Sequence, residues 1–451
     1  MNKISRKEFL KQTSYITLGI ISFSNMLFAA EKGLSILNNI LPIQNDPNGI
    51  LRLMEKFTYK IISEKGQLMS DGLTVPDKAD GMASFMGKDG KIILIRNHEI
   101  GHFKTIEKLL QLNPFYKNKN YMNENKNLIY DIGKNTVPCC GGTTTLVYNP
   151  NSQKIEKEYL SLAGTLVNCS GGPTPWNTWI SCEETVATQN YDLTKNHGYN
   201  FEVIPSENIG LNNAIPLKAM GRFRHEGVAI DPITSIAYQT EDRDEGLIYK
   251  FIPNTKEKYI MGGKLQTLSI KNGLNDTRNW NKKNYNKNIK YKIEWLDIED
   301  IENKDDKLRY NMADKGAAIF ARPEGIWFSN NIVYFTCTSG GAKKIGQIWK
   351  MDVEKQTIEL MFESHNSNTM RKCDNITIAP WGDVIVCEDG TGKDKIIGIK
   401  KNGDTYVIAE NSLNNSEFAG VNFSPDGSIL FVNIYSPTMT IAITGPWNVI
   451  T

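Results

Sequence analysis

Acidic residues recur at the ends of apolar, β-type runs in this chain. Ile92-Ile93-Leu94-Ile95 leads through Arg96-Asn97-His98 to Glu99, and Trp179-Ile180-Ser181-Cys182 runs into Glu183-Glu184. Ala237-Tyr238-Gln239-Thr240 ends in Glu241-Asp242, and Val384-Ile385-Val386-Cys387 in Glu388-Asp389. A second set opens the strands upstream: Asp80, Cys169, Glu226, Glu324, Asp374 and Glu417. One acid at a strand end is an ordinary solvated turn residue. Many acids in one funnel cannot all stay charged unless they are paired or bound to cations. Hard oxygen donors, including the amides of Asn97 and Asn375, suit Ca²⁺. The softer thiolate of Cys169 favours a transition metal such as iron. A mixed site is expected, at which a phosphate is the natural ligand and Arg322 could clamp its oxygens. Arg322 reads equally well as a buried salt-bridge partner of the acids around it.

Convergence requires that both ends of each hairpin lie on one side, and the sequence supplies the hairpins. Gly227-Val228-Ala229-Ile230 and Asp231-Pro232 precede the run at Ile236, and Val421-Asn422-Phe423 with Ser424-Pro425-Asp426-Gly427 precedes Leu430. Turn residues between β-branched runs are hairpin signals. Six such runs begin about 45 to 60 residues apart, with longer gaps filled by Asn/Lys-rich insertions, near the period of propeller blades. The predicted fold is therefore all-β, a six-bladed β-propeller with loop insertions, whose inner hairpins bring the acids to one channel mouth. Alternation along a strand turns His98 and His225 away from the neighbouring ligands, into supporting positions. Cys182, Cys337 and Cys387 lie inside strands and read as core.

The chain has 451 residues, with 52 basic and 50 acidic side chains. That balance carries no polyanion signal, so no nucleic-acid partner is expected; the Lys/Asn runs near Lys117 and Asn281 read as solvated loops. Ser5-Arg6-Lys7-Glu8-Phe9-Leu10-Lys11 and the apolar stretch Tyr15 to Ala30 describe a signal peptide resembling the twin-arginine type, with Lys7 in place of the second Arg. Residues 1–30 are thus expected to engage the twin-arginine export machinery. Residues 31–451 would form a single domain, periplasmic or secreted, monomeric and without a membrane span unless the leader is retained. With seven cysteines, at least one stays outside any disulfide, and adjacent Cys139 and Cys140 could not bridge each other without strain.

From about Asp80 to Tyr435 the chain resembles the PhoX-type alkaline phosphatases, exported six-bladed propellers. The likeness rests on Arg96-Asn97-His98-Glu99, Gly141-Gly142-Thr143-Thr144, Asn168-Cys169-Ser170-Gly171-Gly172, Cys182-Glu183-Glu184, Arg222-Phe223-Arg224-His225-Glu226, Arg322-Pro323-Glu324 and Asp374-Asn375, in that order. The resemblance implies hydrolysis of phosphate monoesters at a site with iron (Fe³⁺) and Ca²⁺. It implies Cys169, Glu226 and Glu324 as iron ligands, Asp374 as a further metal ligand, and Glu99, Glu184 and Glu388 on the calcium side. Arg322 would contact phosphate, and an oxygen held by the metals would attack phosphorus without a serine nucleophile. Two other functions fit the residue pattern: a calcium-dependent hydrolase of the lactonase or phosphotriesterase kind, and a calcium-stabilised binding propeller without catalysis.

Overall fold

The computed structural model describes residues 41–101, 105–134, 139–190 and 192–450. The expected leader, residues 1–30, lies outside them. Strands dominate, and the described α-helices are short: Ile106–Leu112, Lys119–Asn125 and Leu308–Asp314. None is long and apolar enough to cross a membrane. The seven cysteines are buried thiols.

Hairpins organise the fold. They are β1 (Ala79–Met86) with β2 (Ile92–His98), β3 (Asn168–Pro173) with β4 (Trp179–Glu183), and β5 (His225–Ile230) with β6 (Ala237–Glu241). Then come β7 (Pro323–Ser329) with β8 (Ile332–Cys337), β9 (Cys373–Ile378) with β10 (Val384–Glu388), and β11 (Phe418–Phe423) with β12 (Ile429–Ile434). The first strand of each hairpin packs on the first strand of the next: β1 on β3, then β5, β7, β9, β11 and back to β1. Such closeness needs small residues. At Gly172 an added Cβ would lie 1.7 Å from the carbonyl oxygen of Val228 on the neighbouring inner strand.

The result is an all-β, propeller-like fold, but six separate blades are not what the strands form. Hydrogen bonding joins them into five sheets of six, three, nine, four and four strands. The reason lies in an insertion: strand Lys290–Asp297 pairs with Gly263–Ile270 on one side and Thr357–Glu363 on the other, fusing two units into the nine-stranded sheet. Elsewhere the beginning of the described chain completes sheets made by its end. Thr58–Glu64 pairs with Met439–Thr444, and Leu51–Met54 with Thr405–Asn411. Buried Arg96 ties that closure, donating to Ser63, Thr440 and Glu158.

The core fills the gaps between neighbouring units. Ala229, Tyr238 and Ile248 of one unit pack with Ile326, Val333, Phe335 and Trp349 of the next. Each buried Ile, Val or Phe contributes about 1.5–3 kcal/mol, so faces that look outward within one unit become core between two.

Candidate metal centre

All six inner strands share one irregularity. Close to the start of β1, β3, β5, β7, β9 and β11 the register with the partner strand slips. A bulge inserts an extra residue and re-aims a side chain. The residues within it are Asp80, Cys169, Glu226, Glu324 and Asp374 in the first five strands; in β11 the bulge holds Gly420, and Glu417 comes just before the strand. Two positions ahead of four of these side chains the backbone turns through the left-handed region, at Lys78 (φ 58°), Val167 (52°), Arg322 (50°) and Lys372 (48°). Non-glycine residues hold that conformation only where surrounding structure imposes it.

Side chains from adjoining units clasp the bulged carbonyls. Asn97 donates to the carbonyls of Cys169 and Ser170, at 3.3 and 2.6 Å. Thr240 donates to that of Glu324 at 2.5 Å, Thr336 to Asp374 at 2.7 Å, and Asn433 to Asp80 at 2.7 Å. The amide of Gly420 in turn donates to Asn375 Oδ1 at 2.6 Å. These bonds satisfy backbone groups freed by the bulges.

The strand ends add a second tier, sorted by alternation. Glu184, Asp242 and Asp389 face the channel, whereas Glu183, Glu241 and Glu388 point behind it, each towards a basic group. Glu183 receives His197 Nδ1 at 2.6 Å. Glu241 lies 3.4 Å from Arg309 and accepts from Tyr249. Glu388 accepts from the amides of Arg371 and Lys395, at 2.8 and 3.1 Å. In the first hairpin Glu99 faces inward and is bonded by the Tyr435 hydroxyl, while His98 is buried between Asp77 O and Thr144 Oγ1. His225, buried and stacked on Phe223, donates to or accepts from nothing in the channel; its Nε2 lies 3.0 Å from Gly221 O.

The outcome is a cavity of about 180 Å³ lined by Asp80, Glu99, Cys169, Glu184, Glu226, Asp242, Arg322, Glu324, Asp374, Asp389 and Glu417. It gathers Cys169, Glu226, Glu324, Asp374, Glu99, Glu184 and Arg322 of the expected set. Glu388 is outside it; the neighbouring Asp389 takes that place. Asp80, Asp242 and Glu417 also belong to the lining without having been singled out as ligands. Their signal was present in the strand starts and ends, but which member of an adjacent pair faces inward depends on register.

Burial, and then the charge of neighbouring carboxylates, pushes Asp80, Glu184, Glu226, Glu324 and Glu417 well above the usual carboxylate range. Asp374 is raised to about 6, chiefly by burial. Burial and Glu226 likewise push the Cys169 thiol up. Arg322 is shared by two acids. Its Nε and Nη2 donate to Asp242 at 2.9 and 3.0 Å, and Nη2 lies 2.5 Å from Glu324. Glu324 above all holds its guanidinium charged. Arg224, 3.5 Å from Glu184, is the outer cation on this side.

So much like charge fits cations. Cys169, Glu184 and Glu226 place donor atoms within 4.8 Å of one another, and so do Asp374, Asp389 and Glu417. One group includes a thiol and the other only oxygens, a division that suits a softer and a harder ion.

The sequence model described as "Alkaline phosphatase PhoX" matches residues 39–438. The chain belongs to that family. Its activity is the metal-dependent hydrolysis of phosphate esters. Among solved structures, the chain is similar to Pseudomonas fluorescens PhoX in complex with vanadate, described as a transition state analogue. The two share 16% identity over 90% of this chain and 97% of the other, with a TM-score of 0.65. A gluconolactonase from Xanthomonas campestris aligns at 8% identity, over 90% and 97% of the two chains, with a TM-score of 0.45. Virginiamycin B lyase from Staphylococcus aureus aligns at 12% identity, over 86% and 99%, with a TM-score of 0.40. No curated protein matches the chain.

Proposed function

We propose that the carboxylate cavity is the phosphatase active site, acting on phosphate monoesters of small molecules with iron and calcium as its resident ions. Cys169, Glu226 and Glu324 would hold the iron side, with Glu184 grouped beside Cys169 and Glu226. Asp374, Asp389 and Glu417 would hold the calcium side, with Glu99 and Asp80 completing the oxygen set. The carrying observation is the cavity's charge: a ring of carboxylates and one thiol, with Arg322 as the one basic residue of the lining. Bound cations would supply Lewis-acid polarisation of the phosphoryl oxygens and a nucleophilic water at ordinary pH.

The chain's own contribution is placement. Asp242 and Glu324 fix the Arg322 guanidinium across the cavity wall, so its planar fork is oriented before substrate arrives. A phosphate dianion would otherwise be repelled by the acids, and Arg322 offers it donors without reorganisation. The bulges and their clasps hold the acids against their mutual repulsion. The leader-like residues 1–30 support export, with residues 31–451 acting as one unit outside the cytoplasm.

The test is elemental analysis of the purified mature protein, with hydrolysis of p-nitrophenyl phosphate measured in the presence of Ca²⁺, for wild type and Cys169→Ala. Iron with calcium, and turnover lost with the iron in Cys169→Ala, is the expected result. Calcium without iron, and activity indifferent to Cys169, would overturn this ligand assignment.

A further inference from the structure

Behind Glu184 lies a second cluster that phosphate chemistry does not use. Cys139, His197 and Asp131 are buried, with donor atoms within 4.8 Å of one another. His197 Nε2 is 3.8 Å from Cys139 Sγ and 3.4 Å from Asp131 Oδ2. Bond lengths of roughly 2.3 Å to sulfur and 2.0–2.2 Å to nitrogen and oxygen, at tetrahedral angles, separate S and N by about 3.6 Å and N and O by about 3.3 Å. We propose that Cys139, His197 and Asp131 bind a structural Zn²⁺, separate from the ions of the carboxylate cavity.

The surroundings are those of a built ligand set. The other ring nitrogen of His197, Nδ1, is held by Glu183 at 2.6 Å, the carboxylate–histidine arrangement that fixes which nitrogen faces a metal. Glu183 is itself fixed by the amides of Leu166 (2.9 Å) and Gly198 (2.8 Å). The Asp131 carboxylate is oriented by the amides of Gly133, Thr194 and Lys195 and by the Thr194 hydroxyl. Thiolate, imidazole and carboxylate together suit zinc, with water as the fourth ligand. Charge balances too: Zn²⁺ enters as two protons leave, one from Cys139 Sγ and one from His197 Nε2, so the buried cluster keeps its net charge. Glu183 is adjacent to Glu184, so the ion would brace the strand end that delivers Glu184 to the cavity.

Cobalt substitution separates this site from the cavity, since Cys139 and Cys169 are the two cysteines that group with other metal-binding side chains among the described residues. Full-length mature protein is stripped with a chelator and reloaded with Co²⁺, and thiolate-to-cobalt absorption is recorded. The band is expected to survive in Cys169→Ser and to vanish in Cys169→Ser/Cys139→Ser. Zinc-loaded protein should lose one equivalent of zinc and melt at lower temperature on Cys139→Ser. No thiolate band in Cys169→Ser, or a band that persists in the double variant, would overturn the proposal. If the double variant does not fold, the Cys169→Ser spectrum decides alone, a band supporting the site and its absence overturning it.

Discussion

Three adjacent acid pairs show how one residue step separates chemistry from support. Glu184, Asp242 and Asp389 face the cavity, and Glu183, Glu241 and Glu388 are each committed to a basic or amide partner behind it. Successive side chains on a strand point to opposite faces, so the members of a pair cannot exchange roles. Asp389→Asn is expected to lower bound calcium and phosphatase activity while leaving the melting temperature of the chelated protein near wild type. Glu388→Gln should do the reverse, keeping metal content and lowering stability by about 1–3 kcal/mol for a buried acceptor set disturbed; calorimetry with elemental analysis reads both. Arg322 belongs to the same scale. Arg322→Lys keeps the charge but loses the planar fork held by Asp242 and Glu324, and activity should fall by about 10²–10³-fold, as when one preorganised donor to a transition-state oxygen is removed. A loss confined to KM, with kcat intact, would place Arg322 outside the reacting phosphate.

All six inner strands bulge near their start, and in four of them a polar side chain from an adjoining unit clasps the bulged carbonyl. Thr336 holds the carbonyl of Asp374, and Thr240 that of Glu324. Thr336→Val leaves a buried carbonyl without that donor and should cost about 1–3 kcal/mol in urea unfolding. Because the freed carbonyl belongs to a cavity residue, metal affinity should fall with it. The glycine at position 172 marks a tighter constraint. An added Cβ would meet backbone rather than a flexible side chain, so Gly172→Ala should separate β3 from β5 and destabilise by about 1–3 kcal/mol. The hairpins themselves were legible, because Pro and Asp-Gly turns between alternating runs signal them locally. The bulges were not, since they arise where inner strands crowd around the ring.

At the scale of the molecule, the acid cavity couples folding to cations. A carboxyl whose pKa is higher folded than unfolded binds more protons in the native state, so its contribution to stability is present at low pH and lost as pH rises through the folded value. Asp374 moves from 3.8 to about 6, and Asp80, Glu99, Glu184, Glu226, Glu324 and Glu417 move the same way. Chelated protein should therefore lose stability steadily between about pH 4 and 6 and continue to weaken above it. Added Ca²⁺ should restore the melting temperature most at alkaline pH, where the acids are ionised and ready to bind. A melting temperature that rises with pH in the chelated protein would contradict the buried-cluster account.

Residue types and order alone determined much of this protein: the strand-rich fold, the hairpins, a Cys169-containing carboxylate set and the family's phosphoester chemistry. The fold features rest on local patterns, period-two alternation, turn residues and acids at strand ends, which are properties of short stretches of chain. The phosphoester chemistry rests on the ordered motifs that carry the family resemblance. Tertiary structure decided what depends on partners far away in sequence. It chose Asp389 over Glu388, because register sets which face is inner. It fused two units through Lys290–Asp297, because an edge strand accepts whichever neighbour lies beside it. It also set Arg322 between Asp242 and Glu324, and brought Cys139 beside His197. Such pairings are fixed only when the ring closes, since closure alone brings the separate strand ends within bonding distance.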